Sequence, residues 1–432
     1  MTTTQRTLDV SAQRPLHLQH SRILGIFCVL VGLAIYALFA RSATVGQTAT
    51  FGMNSARPSA ALSIPDIALP VLPSLYVMAA LSIFLGFFQL ARGLRRSHAD
   101  GLSEGLVLGV ISLFLVVSFL TWAAKGKGLN LIGILETTVQ RATPIALAAL
   151  SGLLCERSGI VNIAIEGMML TAACCSALVG SVSKSLWVGL IASLLLSGLL
   201  GALLAVLSIR FRVNQIISGT AINIMAIGST NFLSAKFLQV YQELNNPGKF
   251  DNLPIPLLSR IPILGPVVFE NNIVLYMMLA LLVVVHVMLY YTPWGLRTRA
   301  VGEHPRAADT LGVDVFRIRY INVILGGMVA GLGGVFLVLG SVPRFDELMT
   351  AGKGFIGLAA LIFGKWNPFG AFGASLIFGF TDTFQAKMQI LDVPIPSQFL
   401  RMAPYLITMI VLAGVVGRAE PPAAEGQPYE KQ

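Results

Sequence analysis

Residues 152–170, GLLCERSGIVNIAIEGMML, set two carboxylates, a guanidinium and an amide (Glu156, Arg157, Asn162 and Glu166) between apolar runs. A charge in such surroundings is costly and commonly marks a path for polar solutes. Ser158-Gly159 is a helix-breaking pair. It frees carbonyls before it and N–H groups after it, and at membrane depth these need protein or water partners. Asn162 and Glu166 are four apart and share one helix face. Asn162 can then cap that helix and put Glu166 near its positive end. Glu156 and Arg157 are expected at the membrane mouth, where charge is cheap. The plainer alternative is a snorkelling Arg157, a capping Asn162 and a Glu166 paired with a neighbouring helix. Asn223 and Asn231 in GTAINIMAIGSTNF, Trp366 and Asn367 in GKWNP, and Asp382 in FGFTDTF are further candidates for a polar pathway. Each could instead make one interhelical hydrogen bond. The chain contains no HExxH or paired-carboxylate motif and no GxxxxGK[ST] phosphate loop. Its four cysteines lack metal-ligand spacing, so no catalytic residue, metal or cofactor is expected.

The elements that must position these residues follow from composition. Of 432 residues 55% are hydrophobic and 12% charged, about half the roughly 25% charged residues of soluble domains. Apolar runs near 23–40, 71–91, 104–123, 131–153, 160–182, 186–209, 214–235, 272–291, 320–341 and 398–417 are long enough to span a bilayer as helices. A further run, 354–385, is broken by GKWNP after a piece too short to span, and reads as a re-entrant or broken hairpin. The fold class is an all-α polytopic membrane protein. The formal charge of +10 sits in short arginine clusters beside the spans, RGLRR (92–96), RFR (210–212) and RTRAVGEHPR (297–306). With Arg418 these all fall on one side, which the positive-inside rule makes cytoplasmic, together with both termini. That distribution fits anionic lipid and excludes a nucleic-acid surface. The first 22 residues are polar and no cleavage site follows, so a retained anchor is expected. Residues 43–66, expected to be loosely ordered, and the five-proline segment 241–272 then lie outside. The latter is expected in polyproline or turn structure, as a docking element or a mere connector.

The hexamer IALAAL (145–150) recurs as IGLAAL (356–361), and each copy leads into a polar break, CERSG (155–159) or GKWNP (364–368). Interrupted apolar segments at corresponding places in two halves point to a transport site. In the basic loop 292–320, EHPRAADTLG (303–312) reads as a miniature helix with Pro305 at its first position and Gly312 at a left-handed stop. So short a helix is marginal alone and needs a packing partner.

Three separated segments carry a resemblance, which spans residues 130–417. Glu303, Ala307, Ala308 and Gly312 resemble the coupling-helix motif of ABC importer permeases. CERSGIVNIAIEGMML (155–170) resembles the signature of their nucleoside and simple-sugar branch, which is related to branched-chain amino acid and ribose permeases. GFIGLAALIFGKWNPFGA (354–371) resembles that branch's second signature. The resemblance implies a permease core at 131–417 with its coupling loop at 292–320, and a cytoplasmic tail at 418–432. It also implies a non-catalytic subunit of the inner (plasma) membrane. Its partners would be an ABC ATPase, a second permease subunit (a paralogue) and an extracytoplasmic substrate-binding protein. The cargo implied is a nucleoside, with a simple sugar such as a pentose as the alternative. Asn162, Glu166, Asn223, Asn231, Trp366 and Asn367 would form the pathway, and Glu303, Ala307, Ala308 and Gly312 the ATPase contact. Two features depart from the pattern. Residues 1–130 add about three spans, and His304-Pro305 separates the glutamate from the alanine pair. A competing class is an ion-driven carrier titrating Glu166 and Asp382, which would not need a coupling loop.

Overall fold

The computed structural model describes residues 14–54, 65–94, 101–391 and 420–431, with isolated positions between 396 and 402. The span expected at 398–417, Arg418 and part of RGLRR lie outside the described residues. The chain divides into two compact units, one built mainly from residues 1–54 and 63–131, the other mainly from 132–387 and 394–432.

The first unit holds α1 (Arg14–Ala34), β1 (Thr48–Gly52), β2 (Ile67–Pro70), α2 (Val71–Leu94), α3 (Gly101–Ala123) and β3 (Gly128–Asn130). β1 pairs antiparallel with β2 (Thr50 opposite Ala68) and parallel with β3 (Phe51 opposite Leu129). This corrects the expected loose order of 43–66 over residues 48–52. Ala49 and Phe51 are buried on alternate positions, which supplies the reason for strand there.

The second unit runs α4 (Leu131–Glu156), α5 (Ile165–Ser183), α6 (Leu186–Ala205), α7 (Gln215–Leu233), β4 (Asn252–Pro254), β5 (Glu270–Asn272), α8 (Ile273–Tyr291), α9 (Pro293–Glu303), α10 (Pro305–Thr310), α11 (Val315–Val335), α12 (Lys353–Phe363) and α13 (Pro368–Ile390). Among the described residues, eight helices are long and apolar enough to cross a membrane. The fifth expected span starts at Ile165 rather than 160, because 157–164 is not helical. The hairpin expected at 354–385 is a short helix, a break and a long helix. α12 has eleven residues, about 16 Å, roughly half a hydrocarbon core. The proline-rich segment before α8 forms short helical turns and the β4–β5 pair.

α5 and α11 are the inner helices, 67% and 72% buried over their spans against 28–44% for the others. The stretch GGMVAGLGG (326–334) explains how α11 gets there. Ser197 of α6 donates to the Gly327 carbonyl at 2.6 Å, and Gly334 lies against the Met169 carbonyl of α5 with no room for a Cβ. Small residues let backbones approach where the hydrophobic effect does not drive helices together. Gly334→Val should therefore wedge α5 from α11 at a cost of about 1–3 kcal/mol or more. The expected result is a lower thermal midpoint in detergent, read by fluorescence-detected size exclusion.

Candidate functional site

The two breaks found in the sequence meet. Gly357 of α12 packs on Ala148 of α4, and Gly152 of α4 on Leu358 and Leu361. Contact numbers rise together, so the two hexamers run side by side in the same direction, and both helices end at the same place. There the Trp366 indole N–H donates to Glu156 Oε2 at 2.6 Å. Arg157 donates through Nε (3.1 Å) and Nη2 (2.7 Å) to the Trp366 carbonyl. Lys365 and Trp366 adopt positive φ angles of 54° and 51°, a strained turn for side-chain-bearing residues. Two hydrogen bonds on one carbonyl and one on the indole hold it. Glu156 and Arg157 thus form an interhelical clamp, with Glu156 buried rather than solvated.

Glu166 binds the other end of the same helix. Its carboxylate accepts the N–H groups of Gly352 (2.8 Å) and Gly354 (2.7 Å). These are orphan donors of the first turn of α12, whose N-cap residue, Gly352, has no side chain. A carboxylate at a helix N-terminus also meets the positive end of the dipole. Gly354 is obligatory, since a Cβ there would lie 2.7 Å from the Glu166 backbone.

Asn162 does not share a helix face with Glu166 and does not cap α5, as the sequence suggested. It lies in the irregular stretch before α5, whose N-cap is Ala164 with no side-chain cap. Fully buried, its amide nitrogen faces Cys155 Sγ (3.4 Å) and Met168 Sδ (3.8 Å), and its Oδ1 has no protein partner. The physical reason is the length of the turn. Gly159 at φ +88° lets the chain reverse, and the reversal consumes residues through 164. The cap comes instead from α7. Asn223 Oδ1 accepts the Gly167 N–H (2.7 Å), and its Nδ2 donates to the Ile163 carbonyl (2.9 Å). Asn367 Oδ1 accepts the N–H groups of Phe369 (3.0 Å) and Gly370 (3.3 Å), starting α13. Asn231 sits apart on α7 with an unpartnered, buried Oδ1.

Sequence reasoning missed three supports. Gln215 accepts the Val161 N–H (2.7 Å), and the buried Arg319 donates to the Ser158 carbonyl (3.2 Å). Arg141 pairs with Asp382 at 2.7 Å, tying α4 to α13. A lone arginine inside an apolar run was the available signal for the last, because such a charge demands a counter-ion.

At the far end of α8 lies the miniature helix. α10 begins with Pro305 and stops at Gly312 (φ +82°), where the Val313 N–H bonds the Ala308 carbonyl and the Gly312 N–H that of Asp309. This is the Schellman arrangement expected of that glycine. Ala307 and Gly312 are exposed. Ala308 is buried against Val301, Val315, Ile318 and Tyr429. Glu303 accepts the Ala423 N–H at 3.1 Å. At the opposite end of α8, a cavity of about 320 Å³ is lined by Gln140, Lys249, Asp251, Asn252, Asn272 and Ser341, among others.

Broken helices clamped end to end inside an apolar bundle, with a capped miniature helix beside them, define a membrane transport subunit. The chain belongs to the family described as branched-chain amino acid transport system / permease component, whose model matches residues 134–415. It is 40% identical to the guanosine ABC transporter permease protein NupQ of Bacillus subtilis, over 69% of this chain and 96% of that protein. It is 37% identical to the nucleoside ABC transporter permease protein NupC of Lactococcus lactis, over 70% and 99%. A putative glucose ABC transporter permease protein of Haloferax volcanii, TsgC13, is 32% identical over 69% and 98%. No solved structure matches.

The geometry at Glu166 gives a direct test. Glu166→Gln replaces one of two acceptor oxygens by an NH₂ facing an N–H donor. It should destabilise the folded protein by about 1.5–3 kcal/mol, the worth of a charge-assisted hydrogen bond. Thermal unfolding in detergent measures this, and an unchanged midpoint would remove the carboxylate as the cap of α12.

Proposed function

We propose that this chain is the permease subunit of an ATP-driven importer and forms the translocation path for nucleosides. The observation that carries the reading is its match to nearly the whole length of two relatives named as guanosine and nucleoside permeases. The cargo chemistry agrees, because nucleosides are uncharged at neutral pH and call for amides, hydroxyls and aromatic faces rather than fixed charge. The path follows the broken helices α4–α5 and α12–α13. Glu166, Asn223, Trp366 and Asn367 hold its wall in shape, and Asn162 and Asn231 bring amide oxygens without protein partners. The glucose-named relative favours a simple sugar as the second reading.

With no phosphate loop in the chain, ATP is hydrolysed on a separate ATPase subunit. That subunit docks at Glu303, Ala307 and Gly312, with Ala308 packing inward beneath them, on the cytoplasmic side of the inner (plasma) membrane, where both termini lie. A paralogous permease completes the path. A substrate-binding protein delivers cargo at the opposite face, where the polar cavity near β4–β5 lies. Residues 1–130 are an extension to the 131–417 core, and 418–432 form a cytoplasmic tail.

Uptake of radiolabelled guanosine into proteoliposomes holding the full complex is the test. Transport should require ATP, fall with excess unlabelled nucleoside and persist with excess ribose or glucose. The purified chain alone should hydrolyse no ATP. Gly312→Val, which puts a β-branched residue at a left-handed position, should weaken cross-linking of α10 to the ATPase and leave membrane insertion intact. Competition by glucose or ribose instead of nucleosides would shift the assignment to a sugar.

A further inference from the structure

The tail segment 420–431 has no helix or strand of its own, yet it touches α9, α10, α11 and the first break. Its backbone N–H groups at Ala423 and Ala424 bond Glu303 Oε2 (3.1 Å) and the Gly302 carbonyl (2.9 Å) at the end of α9. One turn on, the Gly426 N–H bonds the Gly159 carbonyl (3.1 Å) in the first break. Arg319 bridges the two, donating to the Ser158 carbonyl and, through Nη1, to the Gln427 carbonyl (3.2 Å). Glu425 shares a hydrogen bond with Glu156, the residue that grips Trp366. Tyr429, 6% exposed, covers Ala308 of α10 and packs its ring 5.4 Å from that of Phe316.

From this arrangement we propose that residues 423–429 are a positioning strap, which holds α10 in register with the α4–α5 break so that movement of α10 reaches the Glu156–Trp366 clamp. The proposal rests on the permease reading and assigns the tail a role which that reading does not contain. α9 touches the break directly, where Gly302 lies against the Arg157 carbonyl. α10 lies one turn further out, and its buried face at Ala308 includes the Tyr429 ring in its cover. A six-residue helix cannot hold its own position in water, so the ring that covers it helps to set that position. Two carboxyls side by side disfavour both being charged at once. Burial pushes the Glu425 carboxyl above the usual range, with the contact to Glu156 pulling the other way. A glutamine at 425 keeps an acceptor for Glu156, whereas a leucine does not.

The test uses the complete complex in proteoliposomes with three readouts: co-purification of the ATPase, ATP hydrolysis, and guanosine uptake per ATP. Tyr429→Ala, and truncation after Glu420, should co-purify and hydrolyse ATP within twofold of wild type while uptake per ATP falls at least fivefold. Tyr429→Phe, which keeps the ring, and Glu425→Gln should retain more than half of the wild-type ratio, and Glu425→Leu should not. Wild-type uptake per ATP in the truncated protein would overturn the strap. So would loss of ATPase co-purification in Tyr429→Ala, which would make the tail a docking surface instead. Failure of the wild-type complex to hydrolyse ATP or to take up guanosine would count against the permease reading and is seen before any variant is made.

Discussion

An eleven-residue helix lies within an apolar bundle and is gripped at both ends by one ten-residue stretch of chain. That constraint organises the rest. α12 leaves unsatisfied N–H groups at its start and carbonyls at its end, and neither can turn to water where protein surrounds it. Glu166 takes the first and Arg157 takes the carbonyl of Trp366 just beyond the last. The signs agree with the helix dipole, with an anion at the positive end and a cation at the negative one. Glu156, which would be misplaced at that negative end, is turned onto the indole N–H instead. The same accounting recurs in the α4–α5 turn. Its freed groups are met by Gln215, Arg319 and Asn223, each from a different helix. A polar residue here serves backbone that has lost its helix.

This explains what the sequence could and could not disclose. The spans were legible because apolar length in a bilayer has one regular solution, and α2, α6 and α8 begin and end close to their hydrophobic runs. α10 was legible in its first residue and its glycine stop, since Pro305 and Gly312 are local signals with fixed backbone meanings. The echo of IALAAL in IGLAAL correctly marked two related breaks. It could not show that they face one another, because pairing across 200 residues leaves no local trace. Asn162 was misplaced for a similar reason. Its four-residue spacing from Glu166 implies a shared face only if the helix is already running, and the left-handed Gly159 delays it until Ile165. Glu166 was rightly singled out as costly, and its partner turned out to be backbone, which a search for complementary side chains cannot reveal.

The commitment of these charges bears on the choice between an ATP-driven and an ion-driven carrier. A carboxylate that cycles a proton must release its partners in one state without undoing the fold. Glu166 is bonded through both oxygens to the first turn of α12, and Asp382 is paired with Arg141 across α4 and α13. Protonating Glu166 would weaken two charge-assisted bonds and leave a helix start poorly capped. Protonating Asp382 would leave the half-buried Arg141 guanidinium without its counter-ion. Both groups are therefore better suited to holding one geometry than to alternating between two. The end that faces away from these charges is α9–α10. It carries the exposed face of Ala307 and Gly312, and its miniature helix depends on packing for its position. Under the proposed reading, energy entering there would pass from Gly302 to the Arg157 backbone and on through the Arg157–Trp366 hydrogen bonds, so the stroke need not pass through Glu166 or Asp382.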